Sequence, residues 1–529
     1  MSETEVGEKG MVTAPHSAAS EAGAAVLAEG GNAVEAMIAT AATIAVAYPH
    51  MNGIGGDAFA IIAEPGRPPR VIDACGAAGS LATTARYETA GYHVVPTRGP
   101  DAALTVAGAV SAWGMMEEAA ASFGGRLPRR ELLADAVRRA REGVAISRSH
   151  ARLLAEKQAE FAGLKPFAAQ FLPDGKVPEA GTIARNERLA DTLEQLAHAG
   201  FGDFYRGDVA AAIAVDLEEA RAPVTRDDLK RHEARLRQPL SVAIRGATLF
   251  NTPPPTQGAA SLIILALFDR LGVKRGETFD HVHGLLEATR LAFQVRDREI
   301  TDPAYGGDVA RYLAPEWLDA AATFVDRKRA GTRVGPAIDG DTIWMGAIDR
   351  KGVAVSFIQS LFHEFGSGVY LPRTGILWQN RGSSFSLDPA ARNPLMPGRK
   401  PFHTLNPALA RLDDGRTMVY GSMGGDGQPQ FQAAVFTRAI NFGMDLGEAI
   451  AAPRWRAGRT WGAEAASVAL EDRFDPDLVT ALERAGHPIV VLPEAYSDGM
   501  GHAGAVLRRA DGRIFGASDP RADGKATGG

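Results

Sequence analysis

The chain has 529 residues, 45% hydrophobic and 23% charged, with a formal net charge of −6 and a single cysteine, Cys75. That length and balance suit a soluble chain with a sizeable core. The acidic excess argues against nucleic acid or a membrane surface as partner, and one cysteine excludes an intrachain disulfide and a cysteine metal cluster.

The opening "MSETEVGEKGMVTAPHS" is acidic and lacks the apolar run of a secretory signal, so the expectation is a cytoplasmic protein. "SAASEAGAAVLAEGG" has helical spacing and stops at Gly-Gly. "NAVEAMIATAATIAVAYP" starts at a plausible N-cap, Asn32, and ends before Pro49. It is apolar nearly all round, which predicts a buried helix too short to span a bilayer. "HMNGIGGDAFAIIAE" reads as a glycine-rich loop feeding a short strand. From about residue 130 to 330 the pattern is mostly helical, interrupted by the strand-like "LSVAIRGATLF" and the breaker "NTPPPTQG". From Gly340 onward short alternating strands take over, and helices return at "QFQAAVFTRAINFGM" and "DPDLVTALERAG". The change of texture at "GPAIDGD" is the best internal boundary, although it lacks the character of a flexible linker.

"GDTIWMGAIDRKGVAVSFIQS" predicts a hairpin turning at Asp349 to Gly352, with Gly352 in the left-handed position. Counting back places Thr342 opposite about Gln359, with Ser360 beside it at the open end. Two hydroxyls at a strand start are ordinarily only neighbours. "MVYGSMGGDGQPQFQAAVF" reads strand, glycine turn, helix. Gly424 and Gly425 can present backbone N–H groups to an oxyanion; a tight turn that needs glycine is the other reading. Neither a phosphate-loop pattern nor a metal-ligand pattern is present, and no cofactor is implied.

In their order along the chain, "GGNAVEA", "GIGGDAF", "GDTIWMGAID", "FGSGV", "TGILWQN", "HTLNPAL", "GSMGGDGQ" and "GASDPRADGKATG" resemble the γ-glutamyltransferase family. The resemblance covers essentially the whole chain. It implies an N-terminal-nucleophile hydrolase with a four-layer αββα sandwich of two stacked, mainly antiparallel sheets. It also implies a precursor that cuts itself between Asp341 and Thr342, giving a helix-rich chain 1–341 and a catalytic chain 342–529 within one integrated domain. Thr342 would then be both the nucleophile and a new N-terminus, whose α-amino group, with a reference pKa of about 8, can take the hydroxyl proton. Gly340 would permit the bend that cleavage requires. Position by position, the resemblance assigns Ser360 to orienting Thr342, Gly424 and Gly425 to the oxyanion hole, and Asn380 to the substrate loop.

The sequence departs from the glutathione-handling members at several places. Cys75 stands where they carry an arginine for the substrate α-carboxylate, and Ser384 where they carry an aspartate for the α-amino group. Arg381 replaces a polar or acidic residue, His403 and Thr404 replace two serines, and Phe362 replaces a polar residue near the nucleophile. The γ-glutamyl clamp is therefore expected to be dismantled. "QNRGSSFSLDP", "FHTLNP" and "GGDGQPQ" are similar to a bacterial subgroup that includes oxamate amidohydrolase. In that reading Arg381 faces a substrate carboxylate with His403 or His363 nearby. The plainer alternative makes Arg381 half of a structural ion pair and the histidines structural. Cys75 reads as a small buried residue, and Glu364 and Asp426 as structural or supporting groups. The expected activity is hydrolysis of a small acyl amide. A rebuilt γ-glutamyl hydrolase or transferase, a cephalosporin-type acylase and an uncleaved binding protein are the alternatives. The expected partners are a small amide substrate and the chain's own two fragments; a homo-oligomer is compatible with all of this.

Overall fold

The alternation read in the sequence becomes two seven-stranded antiparallel sheets in a computed structural model that describes residues 3–331, 341–458 and 467–529. In chain order the strands are β1 (Glu5–Gly7), β2 (Gly10–Ala14), β3 (Asp57–Ala63), β4 (Arg70–Ala74), β5 (Arg235–Arg237), β6 (Leu240–Ile244) and β7 (Ala247–Asn251). They continue as β8 (Asp341–Asp349), β9 (Ala354–Phe362), β10 (Ala408–Leu412), β11 (Thr417–Ser422), β12 (Ala503–Arg508), β13 (Ile514–Ser518) and β14 (Lys525–Gly528). One sheet runs β14-β2-β8-β9-β3-β4-β5 and the other β1-β13-β12-β11-β10-β7-β6.

Between the sheets pack Phe59, Trp344, Ile348 and Ile358 from one side and Leu409, Val419 and Val506 from the other. The outer face of the β8 sheet is covered by α1 (Ser17–Ala28), α2 (Ala33–Ala47) and α3 (Ala109–Ser122). The outer face of the other sheet is covered by α4 (Gly258–Leu271), α5 (Phe279–Glu299) and α6 (Gly427–Phe436). The layers are thus α, β, β, α, as the family resemblance implied. Central strands buried on both faces lose the polar alternation of a half-exposed sheet, which is why β9 carries apolar residues on both of its faces. Asn32 caps α2 as expected. Its side chain accepts from Val34 N and Glu35 N, and Glu35 returns a bond to the Asn32 N–H, a reciprocal capping box.

The stretch read as mostly helical also contributes β5, β6 and β7, which take edge positions or lie next to an edge. The boundary at "GPAIDGD" falls largely outside the described residues, as does Gly340. Strands on either side of it pair directly, β2 with β8 and β7 with β10.

The β8–β9 turn corrects the predicted register by one residue. The turn takes five residues, because the Asp349 N–H donates to Val353 O at 3.0 Å and Gly352, at φ 85°, donates to Asp349 O. The Asp349 carboxylate holds that shape by accepting from Lys351 N and Val353 N, and ties it to the start of α2 through Ala33 N. Ile343, not Thr342, therefore lies opposite Gln359, and a bulge separates Asp341 from Ile343. The shift brings Thr342 to Ser360.

Trp344 sets how closely the two sheets approach. Its indole lies where a Cβ on Gly421 would come within 2.1 Å of it and one on Gly504 within 2.6 Å, and its Nε1 donates to Ser356 Oγ at 2.9 Å. Gly421→Val should therefore force the sheets apart. The expected cost is about 1–3 kcal/mol of unfolding free energy, the usual range for overpacking, read from the midpoint of thermal or urea unfolding. An unchanged midpoint would mean that the indole is not seated as described.

Candidate active site

Side chains at alternate positions of a strand share a face. Trp344 and Ile348 of β8, Ile358 of β9 and Phe59 of β3 all point between the sheets. Thr342, Ser360 and Asp57 have the same parity, and Ser360 pairs with Asp57 across β9 and β3. The three form one row over adjacent strands, roughly 10 Å from first to last at ordinary strand spacing. Cys75, one residue beyond the Ala58–Ala74 pair, extends the row.

The other sheet supplies the opposite wall. A Cβ on Gly346 would lie 3.1 Å from Val419 Cγ2, and Trp344 lies on Gly421. Continuing that progression puts Thr342 at the level of Met423 and Gly424. Gly424 and Gly425, with φ of 117° and 50°, form the turn between β11 and α6 and adopt conformations that disfavour any side chain. The turn is braced by residues that precede β8 in the chain. Gln257 Nε2 donates to Gly425 O at 2.9 Å and to Thr404 O at 2.8 Å. Arg296 Nη1 donates to Gln257 Oε1 and, at 2.6 Å, to Asp426 Oδ1. Asp426 is thus a structural partner of a buried arginine, in line with its reading as a structural or supporting group. Gln257 and Arg296 carry no motif that marks them in the sequence, and the only hint is a glutamine directly after the breaker "NTPPPT".

Thr342 is fully buried, and its Oγ1 donates to Gln359 O at 3.5 Å. Ser360 Oγ accepts from Phe362 N at 2.8 Å. That bond holds Phe362 at φ 83°, a conformation that costs a phenylalanine about 1–3 kcal/mol. The ring so positioned stacks on His363 and carries the Arg381 guanidinium 3.7 Å above its centre. Asp341 opens β8; its side chain lies outside the described residues.

Arg381 is 1% exposed. Its Nη2 reaches Thr404 Oγ1 at 3.4 Å and its Nη1 has no hydrogen-bond partner. Burial pulls its pKa down to about 9, against the opposing influence of Asp57 and Cys75. His403 is fully buried beside it, with Nε2 3.4 Å from Asp57 Oδ2 and no hydrogen bond on either ring nitrogen. Burial, then Arg381 and Lys400, hold its pKa well below the usual value, so the ring is neutral. Asp57 Oδ1 accepts from Gly76 N at 2.9 Å and Gly108 N at 3.2 Å, while Oδ2 has no hydrogen bond of ordinary geometry. Burial raises the Asp57 pKa to about 7, partly offset by the Gly76 N–H and by Arg381. Asp57 too is missed by sequence reasoning; the available signal is a lone acid inside the apolar "GIGGDAFAII".

The remaining candidates have structural ties. Asn380 accepts from His363 N and donates to Thr97 O, which holds the loop. Ser384 Oγ donates to Phe402 O. Glu364 pairs with Lys157 at 3.3 Å. Cys75 is buried, its thiol pKa driven far up by burial. It lines a cavity of about 760 Å³ together with Lys400, which is paired to Asp73 at 2.9 Å. Among the described residues no group of three or more histidine, cysteine, aspartate or glutamate side chains is arranged to hold a metal ion, and no helix is long and apolar enough to cross a membrane.

Comparison with known proteins places the chain in a family. The family model described as Gamma-glutamyltranspeptidase matches residues 19–529. The chain is 49% identical over 530 residues to an oxamate amidohydrolase proenzyme of Klebsiella pneumoniae, covering 100% of both chains. It is 37% identical over 534 residues to a glutathione hydrolase-like proenzyme of Bacillus subtilis, again covering 100% of both. The crystal structure of cephalosporin acylase from Bacillus halodurans superposes with a TM-score of 0.91 at 32% identity, covering 100% of this chain and 97% of that one. The chain belongs to the gamma-glutamyltranspeptidase family and is an enzyme of the N-terminal-nucleophile hydrolase type.

Gln257→Ala would leave two buried carbonyls without this donor. It is expected to lower the unfolding free energy by about 1–3 kcal/mol and to slow turnover with little change in KM, because the glycine turn loses its brace. Denaturant unfolding and steady-state kinetics on the purified variant measure both.

Proposed function

We propose that this member of the gamma-glutamyltranspeptidase family cleaves itself before Thr342. It then hydrolyses a small amide that carries a carboxylate next to the scissile carbonyl, oxamate being the model substrate. The observation that carries this reading is the Arg381 guanidinium: buried, seated on Phe362 two residues past Ser360, with a donor left unused. A compact carboxylate is the group that uses such a donor, and a charge-assisted bond in a dry site is strong. Asp57 and Arg381 fill the part of the row between Ser360 and Cys75, which favours a short acyl group over a glutamyl chain. Neither Cys75 nor Ser384 supplies a charge for the ends of an α-amino acid. The whole-chain likeness to the Klebsiella proenzyme supports the same substrate class.

The chemistry follows from the row. In the precursor the Thr342 hydroxyl attacks the Asp341 carbonyl carbon, the acyl group moves from nitrogen to oxygen and frees the α-amino group, and water then hydrolyses the ester to release the Asp341 carboxylate and the Thr342 hydroxyl. In the mature enzyme that amine takes the Thr342 hydroxyl proton as Oγ1 attacks the substrate carbonyl. The Gly424 and Gly425 N–H groups stabilise the oxyanion, an effect worth about 10²–10³ in rate per donor in a well-studied protease. The amine returns its proton to the departing nitrogen, ammonia leaves, and water hydrolyses the ester. Ser360 keeps the Thr342 end of the row in place.

Intact-mass measurement should show two fragments, the smaller beginning at Thr342. Thr342→Ala should remain one chain and show no amidase activity; an active, uncut variant would end the mechanism. On a panel of oxamate, glutathione, γ-glutamyl-p-nitroanilide and a glutaryl amide, kcat/KM should be highest on oxamate. Arg381→Ala should raise KM for oxamate by about 10- to 100-fold, the equivalent of a charge-assisted hydrogen bond of about 1.5–3 kcal/mol. A better rate on glutathione that is insensitive to Arg381→Ala would assign the enzyme to γ-glutamyl chemistry instead.

A further inference from the structure

Three buried polar side chains that the cleavage chemistry leaves unused face one another: Asp57, His403 and Arg381, each 1% exposed or less. Each has at least one polar atom without a hydrogen bond, namely Asp57 Oδ2, both His403 nitrogens and Arg381 Nη1. Building on the carboxylate reading of Arg381, we propose that Asp57 is a positioning residue that couples capture of the substrate carboxylate to the uptake of one proton. The carboxylate settles on Arg381 only when Asp57 is neutral.

The argument is one of charge in a dry space. Without substrate, the negative charge of Asp57 compensates that of Arg381. The other ionisable groups around Asp57 are His403, Lys400, Cys75, Tyr205 and, after cleavage, the Thr342 amine. His403 is neutral, Lys400 is committed to Asp73 at 2.9 Å, and the Cys75 thiol and Tyr205 phenol both have pKa values pushed up by burial. The Thr342 amine lies at the far end of the row and is neutral when it acts as base, so Arg381 is the cation left to answer a new anion, and two carboxylates cannot share it without water. One of them must take a proton, as happens where two carboxyl groups occupy one site.

The geometry says where that proton goes. Asp57 Oδ1 is held by two backbone N–H groups, so Oδ2 is the basic oxygen. Once protonated, Oδ2–H points its hydrogen to His403 Nε2, 3.4 Å away, whose lone pair accepts it. With Asp57 ionised, the other tautomer of the same neutral ring donates from Nε2. His403 thus satisfies either state of Asp57 without becoming charged. The proton comes from solvent on binding and returns when the product carboxylate leaves, so the cycle balances.

The sign of the effect is set by the elevated Asp57 pKa of about 7. Below it the free enzyme already holds the proton and KM is flat. Above it KM for oxamate should rise about tenfold per pH unit, while kcat, which reports the bound state, keeps no such limb. Asp57→Asn retains an oxygen for the Gly76 and Gly108 N–H groups and should make KM flat between about pH 6 and 8.5, with a value at pH 8.5 lower than that of the wild type. Oxamate steady-state kinetics on the cleaved wild-type, Asp57→Asn and Arg381→Ala enzymes test this. A wild-type KM that does not rise above pH 7, or an Asp57→Asn enzyme with the wild-type slope, overturns the proton coupling. If the asparagine variant does not fold, the wild-type profile decides alone. Should Arg381→Ala leave KM for oxamate untouched, the carboxylate reading itself fails, a result distinct from a flat wild-type profile with an intact Arg381 effect.

Discussion

One indole resting on two glycines governs the geometry of this site. Trp344 occupies the space that side chains on Gly421 and Gly504 would need, so β8 lies close over β11 and β12. The candidate catalytic groups sit at the ends of those strands. Two residues before Trp344 is Thr342, and beyond Gly421 is the glycine turn. A wider gap between the sheets would leave the hydroxyl and the backbone donors on opposite walls with nothing to share.

The second constraint is the cost of burying polar groups. The row Thr342, Ser360, Asp57 and the facing Arg381 and His403 are almost wholly out of water. Buried polar groups are ordinarily paired, and those left unpaired are costly. Around the glycine turn Gln257, Arg296 and Asp426 pair with one another, while Arg296 Nη2 and the Gln428 side-chain amide have no hydrogen bond. Beside Arg381 the shortfall is larger, falling on one donor, one carboxylate oxygen and one neutral ring. In the proposed reading the turn is held as scaffold, and the groups beside Arg381 gain their partners when substrate binds. Phe362, strained at φ 83° between the two, links them by holding Arg381 above its ring.

Local features are legible in the amino-acid order. The capping box at Asn32, the hairpin turn with Gly352 and the strand–glycine–helix pattern around Gly424 all depend on adjacent residues, and adjacent residues carry their chemistry openly. The hairpin register is different. Counting alternating residues leaves it one residue short, because the Asp349 carboxylate draws Val353 into the turn, and side-chain capping of that kind is invisible to such a count. The motifs likewise point to Arg381 and His403 as candidates while saying nothing of what surrounds them.

The motifs in the sequence carried a resemblance to the family, and that resemblance implied the αββα architecture and marked the threonine, the serine and the glycine pair as candidates. Each of these lies in a motif whose meaning depends on residues a few positions away. Three further facts came from the folded arrangement: Asp57 stands in the same row as Ser360, Gln257 braces the glycine turn, and Arg381 is buried with a donor unspent. They join β3 to β9, the α4 start to the β11–α6 turn, and a loop after β9 to another before β10. Such contacts arise when two sheets stack at a given distance and register, and no run of neighbouring residues encodes that distance.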